Sequence, residues 1–144
     1  YEVWGVAAMD AMAVSVDPLT LGSPWLTPAY NRMIAQATVD RATVVNIPVV
    51  TSGIADGYVR CQDGPCPGII TVQFTHRETG RVRTLATFRN GSFYQMGMLP
   101  GAYSVVATMM HDGDERQSPP VVVEVPAGAA TPSLVLTLPA GVSR

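Results

Sequence analysis

An all-β sandwich of seven strands is the fold this sequence predicts, on three observations. Thirteen glycines and twelve prolines in 144 residues favour short strands joined by turns over long helices. From Ile54 onward, apolar and polar residues alternate in short runs, as they do in strands with one buried face. Turn-forming residues interrupt those runs at about the eight-to-twelve-residue spacing that a sandwich requires.

The seven runs are "GIADGYVRC", "GIITVQFTH", "VRTLATF", "SFYQMGM", "AYSVVATMM", "PPVVVEV" and "PSLVLTL". In the second, Ile70, Val72 and Phe74 point one way while Thr71, Gln73 and Thr75 point the other. In the fifth, Tyr103, Val105, Ala107 and Met109 share a face, opposite Ser104, Val106 and Thr108. The last run sets Leu134, Leu136 and Leu138 on one side, and these faces are expected to meet in one core.

Between the third and fourth runs, "FRNGSF" places Asn90-Gly91, a pair that tolerates the positive φ of a two-residue type I′ hairpin. "HDGDER" is a second hairpin tip by the same reasoning. Its three carboxylates, Asp112, Asp114 and Glu115, lack the ligand ladder of a calcium loop and read as a solvated turn. "NGS" also matches a glycosylation acceptor, but the hairpin accounts for its first two residues without one.

In "CQDGPC" the turn residues Asp63, Gly64 and Pro65 bring Cys61 and Cys66 within bridging range, so the natural reading is a disulfide. Zinc would need two further ligands, and the only histidines, His76 and His111, sit in unrelated segments. So short a ring contributes only about 2 kcal/mol by loop entropy, so it stiffens a loop more than it holds the fold. A bridge implies an oxidising compartment.

Residues 1–52 are different in kind. "YEVWGVAAMDAMAVSVD" reads as two short strands, with a helix over "VAAMDAMAV" as the competing assignment. "PLTLGSPWLTP" has three prolines and reads as loop or turns, and "AYNRMIAQATVDRA" as one short helical turn. "TVVNIPVV" reads as a strand that Pro48 places at an edge or bulge. The division expected is a leader over 1–52 packing on the sandwich or a neighbour, the sandwich over 53–139, and a tail over 140–144.

A formal charge of −2 with scattered basic residues offers no stripe for nucleic acid. No apolar run approaches the roughly 18 residues of a membrane helix, so no membrane insertion of this chain is expected. The abrupt start at Tyr1 reads as a piece cut from something larger. No cofactor is implied. The motifs H-E-x-x-H, G-x-S-x-G and a phosphate-cradling glycine loop are all missing, and the reading is non-catalytic.

The frame "DGYV" followed by "PGIITVQFTHRETGRVRTLATFRNGSFYQMGMLPGAYSV" resembles the carboxypeptidase regulatory-like domains, a group of transthyretin-like β-sandwiches. The family's "G-x-V" strand corresponds to Gly57 and Val59. Its "T-x-x-x-G-x-F" hairpin corresponds to Thr87, Gly91 and Phe93, with Asn90 where an acidic residue is usual. Its "L-x-P-G-x-Y" corner corresponds to Pro100, Gly101 and Tyr103, with Leu99 directly before the proline. Pro100 fixes one backbone angle, Gly101 permits the next and Tyr103 returns to the core, which makes "LPGAY" a strand-switching device.

The fold this implies is a seven-stranded Greek-key transthyretin-like β-sandwich with an irregular N-terminal extension. In "AVSVDPLTLGSPWLTPAYNRMIAQATVDRATVVNIPVVTSGIADGYV", an aspartate-bearing strand and a proline-rich stretch lead to an "iPv" strand and then "G-x-V", an order that resembles the region before the terminal sandwich of outer-membrane ushers of fimbrial assembly. That likeness implies a periplasmic, outer-membrane-associated or cell-surface module. Its partners would be proteins: a pilus subunit, a chaperone, adjoining domains of its parent, or a second copy through the N-terminal segment. Sheet edges can add a partner strand, and the candidate edges are Val44, Val45 and Ile47 in "TVVNIPVV" and Val121 and Val123 in "PPVVVEV". The competing function is a carbohydrate-binding or adhesive surface module in which Trp4, Trp25 or Tyr30 stacks on sugars.

Overall fold

Alternation and turn chemistry yield twelve strands in the computed structural model, which describes residues 10–39 and 41–141. The leader contributes β1 (Ala11–Val14), β2 (Leu26–Pro28), β3 (Met33–Gln36) and β4 (Val49–Thr51). The remainder are β5 (Gly53–Cys61), β6 (Ile69–His76), β7 (Val82–Ala86), β8 (Ser92–Met98), β9 (Gly101–His111), β10 (Asp114–Gln117), β11 (Val121–Val125) and β12 (Leu134–Leu138). Each of the seven runs read from the sequence coincides with one of these strands, β5 to β9, β11 and β12. β10, read only as part of a hairpin tip, is the addition.

The fold is all-β, with two larger sheets facing each other. One has the order β12-β5-β8, with β12 parallel to β5. The other runs β7-β6-β9, and β10 and β11 lie end to end along the far side of β9. Between them, the inward faces bury Val59, Val72, Phe74, Phe93, Val105, Met109, Leu136 and Leu138 among others. Phe74 is the hub, meeting Phe93 edge-on at 5.9 Å and Tyr103 at 6.2 Å. Removing each such side chain from water contributes about 1.5–3 kcal/mol.

The "LPGAY" corner carries the chain from β8 in one sheet to β9 in the other. Gly101 adopts φ 131°, a conformation L side chains rarely adopt, and the Tyr103 hydroxyl donates to the Leu99 carbonyl at 2.7 Å. Beneath it lies a buttress that the sequence did not announce, the buried His76. Its Nδ1 accepts from the Thr79 amide at 3.1 Å, which leaves Nε2 to donate to the Pro100 carbonyl at 3.0 Å. A Cβ on Gly101 would sit 2.6 Å from that Nε2, so glycine is required twice over.

Three local expectations are corrected. The Asn90-Gly91 turn is not a type I′ hairpin, since only Gly91 has positive φ, at 84°. The chain closes instead with Gly91 N–H on Phe88 O and Phe88 N–H on Ser92 O, a three-residue loop with glycine last. The strands on either side do not pair: β7 stays with β6, β8 with β5, and the turn crosses between sheets.

"TVVNIPVV" is strand only from Val49, because residues 42–48 have no ladder partner. The helical turn read in "AYNRMIAQATVDRA" is strand β3, paired with β1. Of the stretch weighed as helix or strand, Ala11–Val14 is strand, while residues 1–9 lie outside the described residues. Residues 142–144 of the tail do as well.

Leader strands β2 and β4 pair with each other, and the ribbon is tied to the sandwich by polar contacts. Ser52 is buried: its N–H bonds the Trp25 carbonyl, its Oγ the Pro24 carbonyl, and its own carbonyl accepts from Gly128. Arg81 reaches from the β6–β7 turn to the carbonyls of Pro28 and Ala29 at 3.1 and 3.2 Å.

Candidate functional site

The open edge of the five-stranded sheet is built from the parity of its ladder. His76 N–H donates to Arg81 O, and Thr87 N–H donates to Ile70 O. With the antiparallel register between these points, Arg83 and Leu85 also turn their backbone groups toward β6. Val82, Thr84 and Ala86 therefore direct N–H and C=O away from it. Among the described residues β7 has no second partner strand, so three donors and three acceptors face solvent. Four of the five side chains of β7 are exposed, which leaves access to that edge open.

Arginine surrounds this edge. Arg77, Arg81, Arg83 and Arg89 stand against a single acid, Glu78, over residues 77–89. Burial of the Arg81 guanidinium, and Arg83 close by, lower its pKa from the ordinary arginine value.

The opposite edge begins at the second hairpin. Asp112 and Gly113 both have positive φ, 50° and 83°, and the tip closes on the His111–Asp114 pair. That is the two-residue type I′ geometry expected of "HDGDER". Past β10, Ser118 keeps the ladder going by accepting the Ala107 N–H on its Oγ at 2.9 Å while its own N–H bonds the Ala107 carbonyl. Pro119 and Pro120, which lack N–H groups, then interrupt the edge. In β11 the side chains of Val121 and Val123 pack against the core, and Val122 and Glu124 are exposed. By the same parity, Val122 and Glu124 turn their backbone groups outward.

The other expected site residues fall elsewhere. Val44, Val45 and Ile47 lie in the ladder-free stretch before β4, with Val44 78% exposed, so they form no strand edge. Cys61 and Cys66 form the disulfide, with Cα atoms 5.4 Å apart. In the loop they close, Asp63 accepts from Arg116 at 2.9 Å and from the Gly141 N–H at 3.1 Å. The Gly141 hydrogen bond, with the Arg116 bond second, holds the Asp63 carboxyl below the ordinary aspartate value. Between this loop and residues 87–91 is a cleft of ≈ 570 Å³ rimmed by Tyr58, Ile69, Phe88 and Arg89.

His76 and His111 sit eight positions apart along β9, His76 opposite Tyr103, which is about 26 Å at the strand rise. No single site includes both. Trp25 and Tyr30 are exposed in the leader, and Trp4 lies outside the described residues. Two aromatics not singled out in the sequence, Tyr58 and Tyr94, project from the solvent face of the β12-β5-β8 sheet on adjacent strands. Strict alternation around Val59 and Phe93 was the signal that could have found them.

In comparison with known proteins, no family model matches this chain and no curated protein is detectably similar to it in sequence.

Proposed function

We infer that the chain is a non-catalytic Greek-key transthyretin-like module, seven strands with β10 added to them, that binds protein partners, a periplasmic domain of a fimbrial usher-like assembly protein. The observation that carries this reading is the unpartnered β7 edge beside a closed core, a geometry suited to strand addition. The strand order supports the fold assignment. β5, β8 and β12 are separated in sequence by β6–β7 and by β9–β11 of the facing sheet, so four of the seven connections from β5 to β12 cross the sandwich. The Cys61–Cys66 bridge supports an oxidising compartment such as the periplasm.

The test is titration of the chain with a purified chaperone–pilin complex, followed residue by residue by amide NMR. Perturbation centred on Val82, Thr84 and Ala86 supports the reading. No interaction at high micromolar concentration, or one centred away from both sheet edges, sinks it. A carbohydrate-binding reading is kept because Tyr58 and Tyr94 share one flat, exposed face. A glycan-array signal lost in Tyr94→Ala and retained in Thr84→Pro would favour it.

A further inference from the structure

The geometry points to head-to-tail association of this chain with a second copy of itself, the β7 edge of one molecule pairing with the β11 edge of the next. This deepens the partner-binding reading and rests on its open-edge element. Three independent features converge on it.

The first is strand direction. β6 is antiparallel to both β7 and β9, and β9 is antiparallel to β11, so β7 and β11 run in opposite senses at the two sides of one sheet. β7 lies level with Ser104–Thr108 of β9 and β11 level with Gly101–Val105, so a copy translated across the sheet and shifted by about two to four residues along the strands, without rotation, presents β11 antiparallel to β7 and continues the ladder's alternation. The second is fit. Each strand has five residues, and each turns out backbone groups that are unpaired among the described residues: Val82, Thr84 and Ala86 on one side, Val122 and Glu124 on the other. Pro119 and Pro120 confine pairing on that side to β11, since neither can donate to a new strand.

The third is charge. Residues 77–89 carry four arginines and one glutamate, whereas residues 111–125 carry Asp112, Asp114, Glu115 and Glu124 against Arg116 alone. Unlike edges attract, and two β7 edges or two β11 edges repel. Charge thus selects the head-to-tail arrangement over a two-fold dimer. Because such a contact leaves one free edge at each end, it propagates into open chains and does not close. Only short edges meet, so association requires high concentration and weakens as salt screens the arginines and carboxylates.

Two proline variants test this. Thr84 and Val122 point their N–H groups out of the sheet, so Thr84→Pro and Val122→Pro each remove an outward donor and keep the internal ladder. In sedimentation velocity at low salt, the wild type should grow past dimer with concentration, and about 1 M salt should reverse the growth. Each variant alone should stay monomeric, and their equimolar mixture should stop at a 1:1 dimer.

A wild type monomeric at about 1 mM in low salt, a variant that dimerises by itself, or a mixture of two folded variants that stays monomeric would each overturn the proposal. If a proline variant fails to fold, charge does the same work. Thr84→Glu should weaken wild-type association by about tenfold or more and Thr84→Lys should strengthen it, while equal losses from both would count against the charge selection. A wild type that stays monomeric yet still perturbs its β7 amides with the chaperone–pilin complex sinks self-association and leaves the partner reading standing.

Discussion

Two turns with nearly the same sequence do opposite things in this molecule. Asp112-Gly113 closes a hairpin between β9 and β10, and Asn90-Gly91 carries the chain from one sheet to the other. The dipeptide does not decide between them; the strands beside it do. β9 and β10 can lie side by side because Arg116, set opposite the buried Met109, reaches out to Asp63. β7 and β8 instead follow different partners, as Leu85 packs opposite Val72 of β6 and Phe93 opposite Gly57 of β5. Gly91 is then clamped, with its carbonyl accepting from Val59 N–H at 2.8 Å. A turn that crosses the sandwich leaves β7 without a neighbouring strand on its outer side among the described residues, and so the open edge follows from the crossing.

Substitutions at the two glycines should separate these roles, and Gly91→Val should have the largest effect. Its Cβ would strike the Val59 carbonyl and come within 3.1 Å of the Tyr58 ring, in addition to the φ of 84°. Overpacking and left-handed strain together predict about 3 kcal/mol lost in chemical denaturation. A loss under about 1 kcal/mol would mean the turn is not clamped against β5. Gly113→Val meets no atom within 4 Å, so only its φ of 83° matters, and about 1.5 kcal/mol is expected. If the two variants prove equal, the contrast between the turns fails.

Asn90→Ala should be milder still. Asn90 Oδ1 accepts from the Ser92 N–H at 3.1 Å and from its hydroxyl at 2.7 Å, both exposed, and about 0.5–1 kcal/mol is expected from their loss in the same denaturation series. A third such turn, Asp63-Gly64, adds a pH dependence. The folded Asp63 carboxyl has a lowered pKa, so its contribution is present above the ordinary aspartate value and is lost as pH falls through the lower folded one. The Gly141 amide resonance should therefore shift in acid, below about pH 4. The shift should vanish in Asp63→Asn, and an unchanged acid shift there would assign it to another group.

The sandwich strands were legible because one face of each is apolar and the other is not, and because such alternation survives any change of neighbour. Which strand pairs with which was not legible at Asn90-Gly91, since a hairpin and a crossing use the same backbone chemistry. His76 was missed as a buttress because its partners, Thr79, Pro100 and Gly101, meet it only through a sheet-switching corner. In the leader, Val44, Val45 and Ile47 look like a strand by composition, but burial there falls on Thr27, Pro28, Ala35 and Ser52. Short ribbons tied by backbone carbonyls leave little periodic trace. The β7 edge went unread for the converse reason: its openness depends on the absence of a β7–β8 ladder, and no residue in "VRTLA" announces that.

Amide hydrogen exchange along β7, in dilute protein at low salt, tests the crossing and the open edge together. The Arg83, Leu85 and Thr87 amides, bonded to β6, should exchange slowly, while Val82, Thr84 and Ala86 should exchange about a hundredfold faster or more. Uniform protection from Val82 to Thr87 would mean that β7 has a strand on both sides, and would contradict both the sheet-switching turn and the edge offered to a partner.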